Sequence, residues 1–255
     1  MKAKSHTVIS DAEEESWVQG GSYRLRVNAF ASEEKGESPV LVVVIHGDAP
    51  FNEPDHQYVF AAKVAANHRD VVAVGLLRPG YSDPEGNTSD GERGLAAGDS
   101  WNLTNTEAIA NAIGRLKRRW NARKVVVAAH SGGAALSANA LGRHPALINQ
   151  ALLISSVYDV AKWRQYMFEQ TREPVFQGKI ETLSPIELVT GMSDQVEVTV
   201  IVGSQDEIAP PQFSEQYETA ARKHGKKVKL VRLEGEGHEI FLNPAVFAEL
   251  EPMLR

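Results

Sequence analysis

The chain of 255 residues contains no cysteine, so disulfides, thiol nucleophiles and thiolate metal sites are excluded. It has no apolar run approaching the length of a membrane span. Basic residues are not in excess: 27 Lys and Arg stand against 33 Asp and Glu, a net charge of −6 that argues against nucleic acid as the main partner. The two basic runs, Arg115 to Lys124 and Arg222 to Lys229, close predicted helices, where cations offset the helix dipole on a solvated face. No histidine–carboxylate spacing of the usual zinc kind occurs, so no metal is expected. The opening Met1-Lys2-Ala3-Lys4-Ser5-His6 has no apolar core or cleavage pattern, which predicts no signal peptide and a cytoplasmic location.

What the chain does have is an alternation of strand and helix patterns. Tyr23, Leu25, Val27 and Ala29 alternate with polar neighbours, the period of a half-exposed antiparallel strand. Val40 to Ile45 is a continuous β-branched run, as a buried parallel strand requires. Helix near Asp55 to Arg69, strand Asp70 to Leu76, a Gly-, Asp- and Ser-rich loop from Arg78 to Ser100, and helix Leu103 to Trp120 follow. After the strand that ends near Ala129 come a helix to about Arg143 and a short strand, Ala151 to Ser155. About forty residues then interrupt the pattern with the helical piece Val160 to Thr171 and a short helix after Ser184-Pro185. Glu197 to Val202, Pro211 to His224, Lys227 to Leu233 and Asn243 to Leu250 restore it. The expectation is a single α/β domain over residues 1–255 with a mostly parallel sheet and helices on both faces. The interruption, at about 157–196, would form a small cap over the strand carboxyl ends.

In an open parallel sheet, ligands bind outside those carboxyl ends. The polar residues that follow the strands are therefore the candidates: His46-Gly47-Asp48-Ala49-Pro50, Arg78-Pro79-Gly80-Tyr81, His130-Ser131-Gly132-Gly133, Asp206 and His238. In Val125 to Ala134 an apolar strand stops at Ser131, with Ala129 and Gly133 two positions either side. A tight strand-to-helix turn there would lift the hydroxyl clear of the backbone and needs small flanking residues. It would also aim the Gly132 N–H at an oxyanion formed on Ser131. The competing reading is a plain Ser-Gly-Gly loop. Asp206 could orient an imidazole or merely cap a turn, with Asp159 as the reserve acid. His238 lies in a glycine-rich loop after the last strand. His6, His56, His68, His144 and His224 fall on termini or on helices expected to be exposed. A second oxyanion donor would come from the loop after the first buried strand, as the N–H of Asp48 or, second, Ala49.

The motifs in this order resemble those of the α/β-hydrolases, from the His46-Gly47 loop through Ser131 to Gly237-His238. The resemblance implies an α/β-hydrolase fold with an eight-stranded sheet, a Ser131–His238–Asp206 triad and no cofactor. Ser184-Pro185 and Gly203-x-x-Asp206 are similar to dienelactone-hydrolase and prolyl-oligopeptidase-like members. Ala129, where many members have glycine, and the lack of a large N-terminal propeller are departures. The expected activity is hydrolysis of small carboxylic esters of short or medium acyl chain through an acyl-enzyme. A small serine peptidase or amidase, and a catalytically silent binding protein, are the alternatives. Trp163, Tyr166 and Phe168 in the interruption are expected to line the substrate pocket.

Overall fold

A computed structural model describes residues 15–50, 52–94 and 97–255. The opening Met1 to His6 lies outside them. The sheet is assembled from β1 (Trp17–Gly20), β2 (Tyr23–Ala31), β3 (Val40–Ile45), β4 (Val71–Leu76), β5 (Lys124–His130), β6 (Gln150–Ile154), β7 (Glu197–Gly203) and β8 (Lys227–Leu233). Its strand order is β1-β2-β4-β3-β5-β6-β7-β8. β1 and β2 pair antiparallel at one edge, and β2 also runs antiparallel to β4. Every pairing from β4 through β8 is parallel.

Side-chain alternation along a strand explains why the inner parallel strands are largely apolar, while edge strand β8 exposes Lys227, Lys229 and Arg232. On β3, Leu41, Val43 and Ile45 enter one core layer, and Val40, Val42 and Val44 enter the other. The first layer is covered by α2 (Leu103–Arg119), α3 (Ser131–Arg143) and α5 (Pro211–Lys223), through Ile109, Ile113, Leu136 and Tyr217. The second is covered by α1 (His56–Asn67) and α6 (Pro244–Leu250), through Phe60, Val64, Val246 and Leu250. Helix starts carry their own signals. Asn102 and Asn243 accept backbone N–H groups of Asn105 and Ala245, and proline opens α5 and α6.

Between β6 and β7 the chain leaves the sheet for α4 (Val160–Thr171) and two 3-10 turns, Pro174–Phe176 and Pro185–Gly191. Asp159 caps α4 by accepting the Lys162 N–H. Arg164, buried, ties α4 to Ala97 and Gln177 through their carbonyls. The segment is therefore strapped down at several points. Among the described residues no helix is long and apolar enough to cross a membrane.

Candidate active site

Loops following β3, β4, β5, β7 and β8 converge at one end of the sheet. Ser131, directly after β5, has φ of +50°, a left-handed conformation that a non-glycine residue adopts only under local constraint. The constraint is visible on both sides. Ala129 is fully buried, and a Cβ on Gly133 would stand 2.3 Å from the His46 carbonyl oxygen. The Ser156 hydroxyl donates to the Ser131 carbonyl at 2.7 Å. Ser131 thus heads α3 with its backbone pinned and its side chain half-buried.

The loop after β8 brings His238 to this turn, with Nε2 3.1 Å from Ser131 Oγ. The other ring nitrogen faces the Asp206 carboxylate, 2.9 Å from Oδ2 and 3.1 Å from Oδ1. A carboxylate accepts only, so Nδ1 carries the proton and the Nε2 lone pair is left toward the serine. An imidazole held in that tautomer can receive a hydroxyl proton. Asp206 is buried, and its Oδ1 also accepts the N–H groups of Ile208 at 3.0 Å and Ala209 at 2.7 Å. The turn-capping and histidine-orienting readings of Asp206 are therefore both satisfied by one carboxylate. Asp159 is committed to its own helix and to Lys162, 2.8 Å away, with no contact to His238.

His130 supports this arrangement from behind. Its Nε2–H donates to the His238 carbonyl at 3.1 Å, and the two rings lie 5.0 Å apart. Burial first, and the neighbouring His238 second, push its pKa down to about 3, so the ring stays neutral. His46, on the opposite side, is also buried neutral: its Nδ1–H donates to the Gly47 carbonyl at 2.7 Å while Nε2 accepts the Arg78 N–H at 2.9 Å. Gly47 abuts the serine so closely that a Cβ there would stand 2.8 Å from Ser131 Cβ. The loop carrying Asp48 and Ala49 therefore lies against the Ser131 turn and the Gly132 that follows it in α3.

A cavity of about 530 Å³ opens over Ser131 and His238. One wall is apolar, made of Ala97, Trp101, Val157, Trp163, Phe176 and Ile208. Trp163 stacks on Trp101 at 5.5 Å, meets Phe176 edge-on and donates its indole N–H to the Ile208 carbonyl at 2.8 Å. Four carboxylate residues also line the cavity, Asp48, Glu53, Asp55 and Glu239. Among the described residues, only Asp48 of these four has an ion-pair partner, Arg78.

Several expectations change here. Tyr166 turns to Phe213, and Phe168 lies under the Arg172 guanidinium; neither reaches the cavity, whereas Trp163 does. Helical spacing relates side chains to one another but does not say which way their shared face points. His56 is not on an exposed helix face. It opens α1 half-buried, lines the cavity and packs edge-on against Phe241. His144 is also half-buried, paired with Glu107 at 3.0 Å. Trp101, Val157 and Ile208 were not anticipated. Each lies in irregular chain just beyond a strand or before a helix, where only the position after β6 and β7 offered a clue. No group of three or more His, Cys, Asp or Glu suited to a metal occurs among the described residues.

The sequence profile of the alpha/beta hydrolase fold family matches residues 39–195. No curated protein matches. Solved structures do. The acylaminoacyl peptidase of Pyrococcus horikoshii is similar at 15% identity and a TM-score of 0.67, over 92% of this chain and 39% of that one. This chain thus spans well under half of that protein's length. Est1E from Butyrivibrio proteoclasticus, with ferulic acid bound, is similar at 17% identity and a TM-score of 0.66, over 93% and 97% of the two chains. Proline iminopeptidase of Mycobacterium smegmatis gives 16% and 0.65, over 93% and 96%. At such identities the likeness is one of fold, and the enzymes sharing it include both an esterase and peptidases. With the profile covering more than half its length, the chain belongs to the α/β-hydrolase fold family.

Proposed function

We propose that the protein is a serine hydrolase that cleaves small carboxylic esters of short or medium acyl chain through an acyl-enzyme. The observation that carries the reading is the run of contacts from Ser131 Oγ through His238 to Asp206, on a serine at φ +50° beneath an open cavity. In this reading Ser131 Oγ attacks the ester carbonyl carbon while His238 Nε2 takes its proton. The C–O bond then breaks, the proton passes to the leaving alcohol, and an acyl-serine remains. Water repeats the sequence and releases the acid. Asp206 holds His238 in the required tautomer and stabilises the imidazolium. The N–H groups of Gly132 and Asp48 receive the oxyanion. The residues at about 157–196 act as a cap on one α/β domain. No cofactor takes part, and the cytoplasm is the expected location.

The apolar wall of Trp101, Trp163 and Phe176 favours an uncharged acyl or alkoxy group. The carboxylates lining the cavity support a second reading, an amidase for substrates bearing an amine. Glu53, Asp55 and Glu239 stand there without a cation partner among the described residues, whereas Glu169, Glu173 and Glu181 of the α4 segment do not line the cavity.

The test is labelling by a fluorophosphonate, with the modified residue mapped, followed by turnover of p-nitrophenyl esters of increasing acyl length beside aminoacyl anilides. Label on Ser131 and faster turnover of short esters are expected. Anilides turned over faster than any ester would move the assignment to the amidase. No label, or label elsewhere, would remove the serine-hydrolase reading altogether and leave a hydrolase-like binding protein.

A further inference from the structure

A carboxylate is an odd residue to find in a loop that must welcome an anion. Asp48 Oδ1 and Arg78 Nη1 would stand 2.6 and 2.9 Å from a Cβ on Gly132, so both pack against the Cα of the second residue of α3. Left unpaired, the Asp48 charge would oppose any negative charge developing between Gly132 and the loop after β3. It is not unpaired. Arg78 Nη1 lies 2.8 Å from Asp48 Oδ1, and the Tyr81 hydroxyl donates to the same oxygen at 3.1 Å. Arg78 is only 1% exposed; its Nη2 donates to Ser100 Oγ at 3.1 Å, and its plane lies over the Tyr81 ring at 5.0 Å. Its backbone N–H meets His46 Nε2, and His46 in turn holds the Gly47 carbonyl. One residue therefore grips the loop at both His46 and Asp48.

We infer that Arg78 is a positioning residue for the oxyanion-binding loop: it sets the Asp48 N–H against Ser131 and cancels the Asp48 charge beside the forming oxyanion. This rests on the serine-hydrolase reading above and adds to it a residue that never touches substrate.

The two partners differ in exposure, and that difference makes the role testable. The Asp48 side chain is 34% exposed, so without Arg78 water can solvate its carboxylate. Buried Arg78 without Asp48 has no such relief. Arg78→Met is therefore expected to lower the melting temperature little but to cost about 10²-fold in kcat/KM, the order lost with one oxyanion donor. Asp48→Asn retains an acceptor for Tyr81 and leaves a stray positive charge near the oxyanion. It is expected to lose more melting temperature and less than about tenfold in kcat/KM. Stability and activity thus rank the two variants in opposite orders. A purely structural ion pair would rank them alike, with Asp48→Asn the worse on both.

The experiment measures melting temperature, kcat, KM and inhibition by a trifluoromethyl ketone and by the methyl ketone of the same chain. The trifluoromethyl ketone forms an oxyanion on the serine, and the methyl ketone serves as its ground-state reference. In Arg78→Met the expected result is weaker trifluoromethyl ketone binding in proportion to kcat/KM, with methyl ketone binding and KM unchanged. Equal weakening of both ketones, or activity within threefold of the parent, would overturn the inference. If Arg78→Met does not fold, Tyr81→Phe removes one hydroxyl from the same web and is expected to cost about 3- to 10-fold, again in kcat. An unchanged kcat there would also overturn it. Fluorophosphonate labelling of the parent separates the two levels. Failure to label Ser131 defeats the serine-hydrolase reading, whereas intact labelling with insensitive Arg78 variants defeats only the positioning role.

Discussion

The two flanks of Ser131 are built differently. On one side, Asp206 and His238 arrive on loops after β7 and β8, each making its contact through its own side chain. On the other, the loop after β3 offers backbone, and its shape is set by a buried web of His46, Arg78, Tyr81 and Ser100. In the proposed mechanism the first flank acts through side chains, which can be recognised from residue type and order. The second would act through backbone N–H groups that every residue has, so identity there would be spent on holding the loop. A functional group made of side chains leaves a motif; one made of backbone leaves its supports.

The largest effect is expected from removing the hydroxyl the flanks share. Ser131→Ala is expected to reduce ester turnover by on the order of 10⁴-fold or more while leaving the melting temperature near that of the parent. Turnover within tenfold of the parent would show that neither flank serves Ser131.

Next in size are changes on the side-chain flank. His238→Ala should match the Ser131→Ala defect, and the double variant should be scarcely worse than either, because the groups act as a unit. Asp206→Asn should be milder but still severe, since His238 loses the partner that fixes its tautomer. Asp159→Asn should leave kcat near the parent value, as among the described residues its carboxylate serves Lys162 and the start of α4 and not His238. A severe Asp159 defect beside a benign Asp206 one, in steady-state kinetics on one ester, would reassign the acid.

Legibility in the sequence follows the same division. The continuous aliphatic runs and their helical intervals describe β3 to β7, because both faces of a parallel sheet's inner strands are buried and must be apolar, whereas edge strand β8 alternates with exposed Lys227, Lys229 and Arg232. The meeting of Ser131, Asp206 and His238 was readable because strand order carries each loop to the same end of the sheet. The Arg78–Asp48 pair was not. Both residues were visible after their strands, but pairing across thirty positions depends on β4 lying beside β3, which spacing does not reveal. His56 was hidden for another reason. A helix's first residue belongs to the loop end of the molecule, and whether it meets solvent or a cavity depends on how the chain before it folds back.

Buried histidines on both flanks make stability depend on pH. His46 and His130 are buried and neutral, each held well below the usual histidine range first by burial, with His130 at about 3. The unfolded chain takes up these protons near pH 6.5 and the folded chain does not. Stability from this source is therefore full above that pH and is lost as the pH falls, by up to about 1.4 kcal/mol per pH unit for each histidine. Denaturation midpoints at pH 7.5, 6 and 5 should decline accordingly, before the carboxylates titrate. His130→Gln keeps an N–H for the His238 carbonyl and cannot be protonated, so it should flatten the slope by one proton's worth. An unchanged slope would mean that His130 is protonated in the folded protein.

The smallest effects concern the cavity wall, where the α4 segment contributes two aromatic side chains. Trp163 and Phe176 line the cavity and touch one another, and Trp163 also rests on Trp101. Tyr166 and Phe168 come from the same helix but face Phe213 and Arg172. If the apolar wall holds the acyl chain, shortening a lining ring should move the preferred length, whereas shortening a ring outside the cavity should not. Trp163→Ala and Phe176→Ala are expected to shift the optimum of a p-nitrophenyl ester series toward longer chains. Relative kcat/KM for the longer chains should rise by roughly 4- to 15-fold, the worth of one or two methylenes buried at about 0.8 kcal/mol each. Tyr166→Ala and Phe168→Ala should change it by less than twofold or so. Trp163→Ala also frees the Ile208 carbonyl, so Phe176→Ala, which breaks no hydrogen bond, is the cleaner variant. A profile that moves with Phe168 and not with Phe176 would place the acyl chain elsewhere, while leaving the contacts around Ser131 untouched.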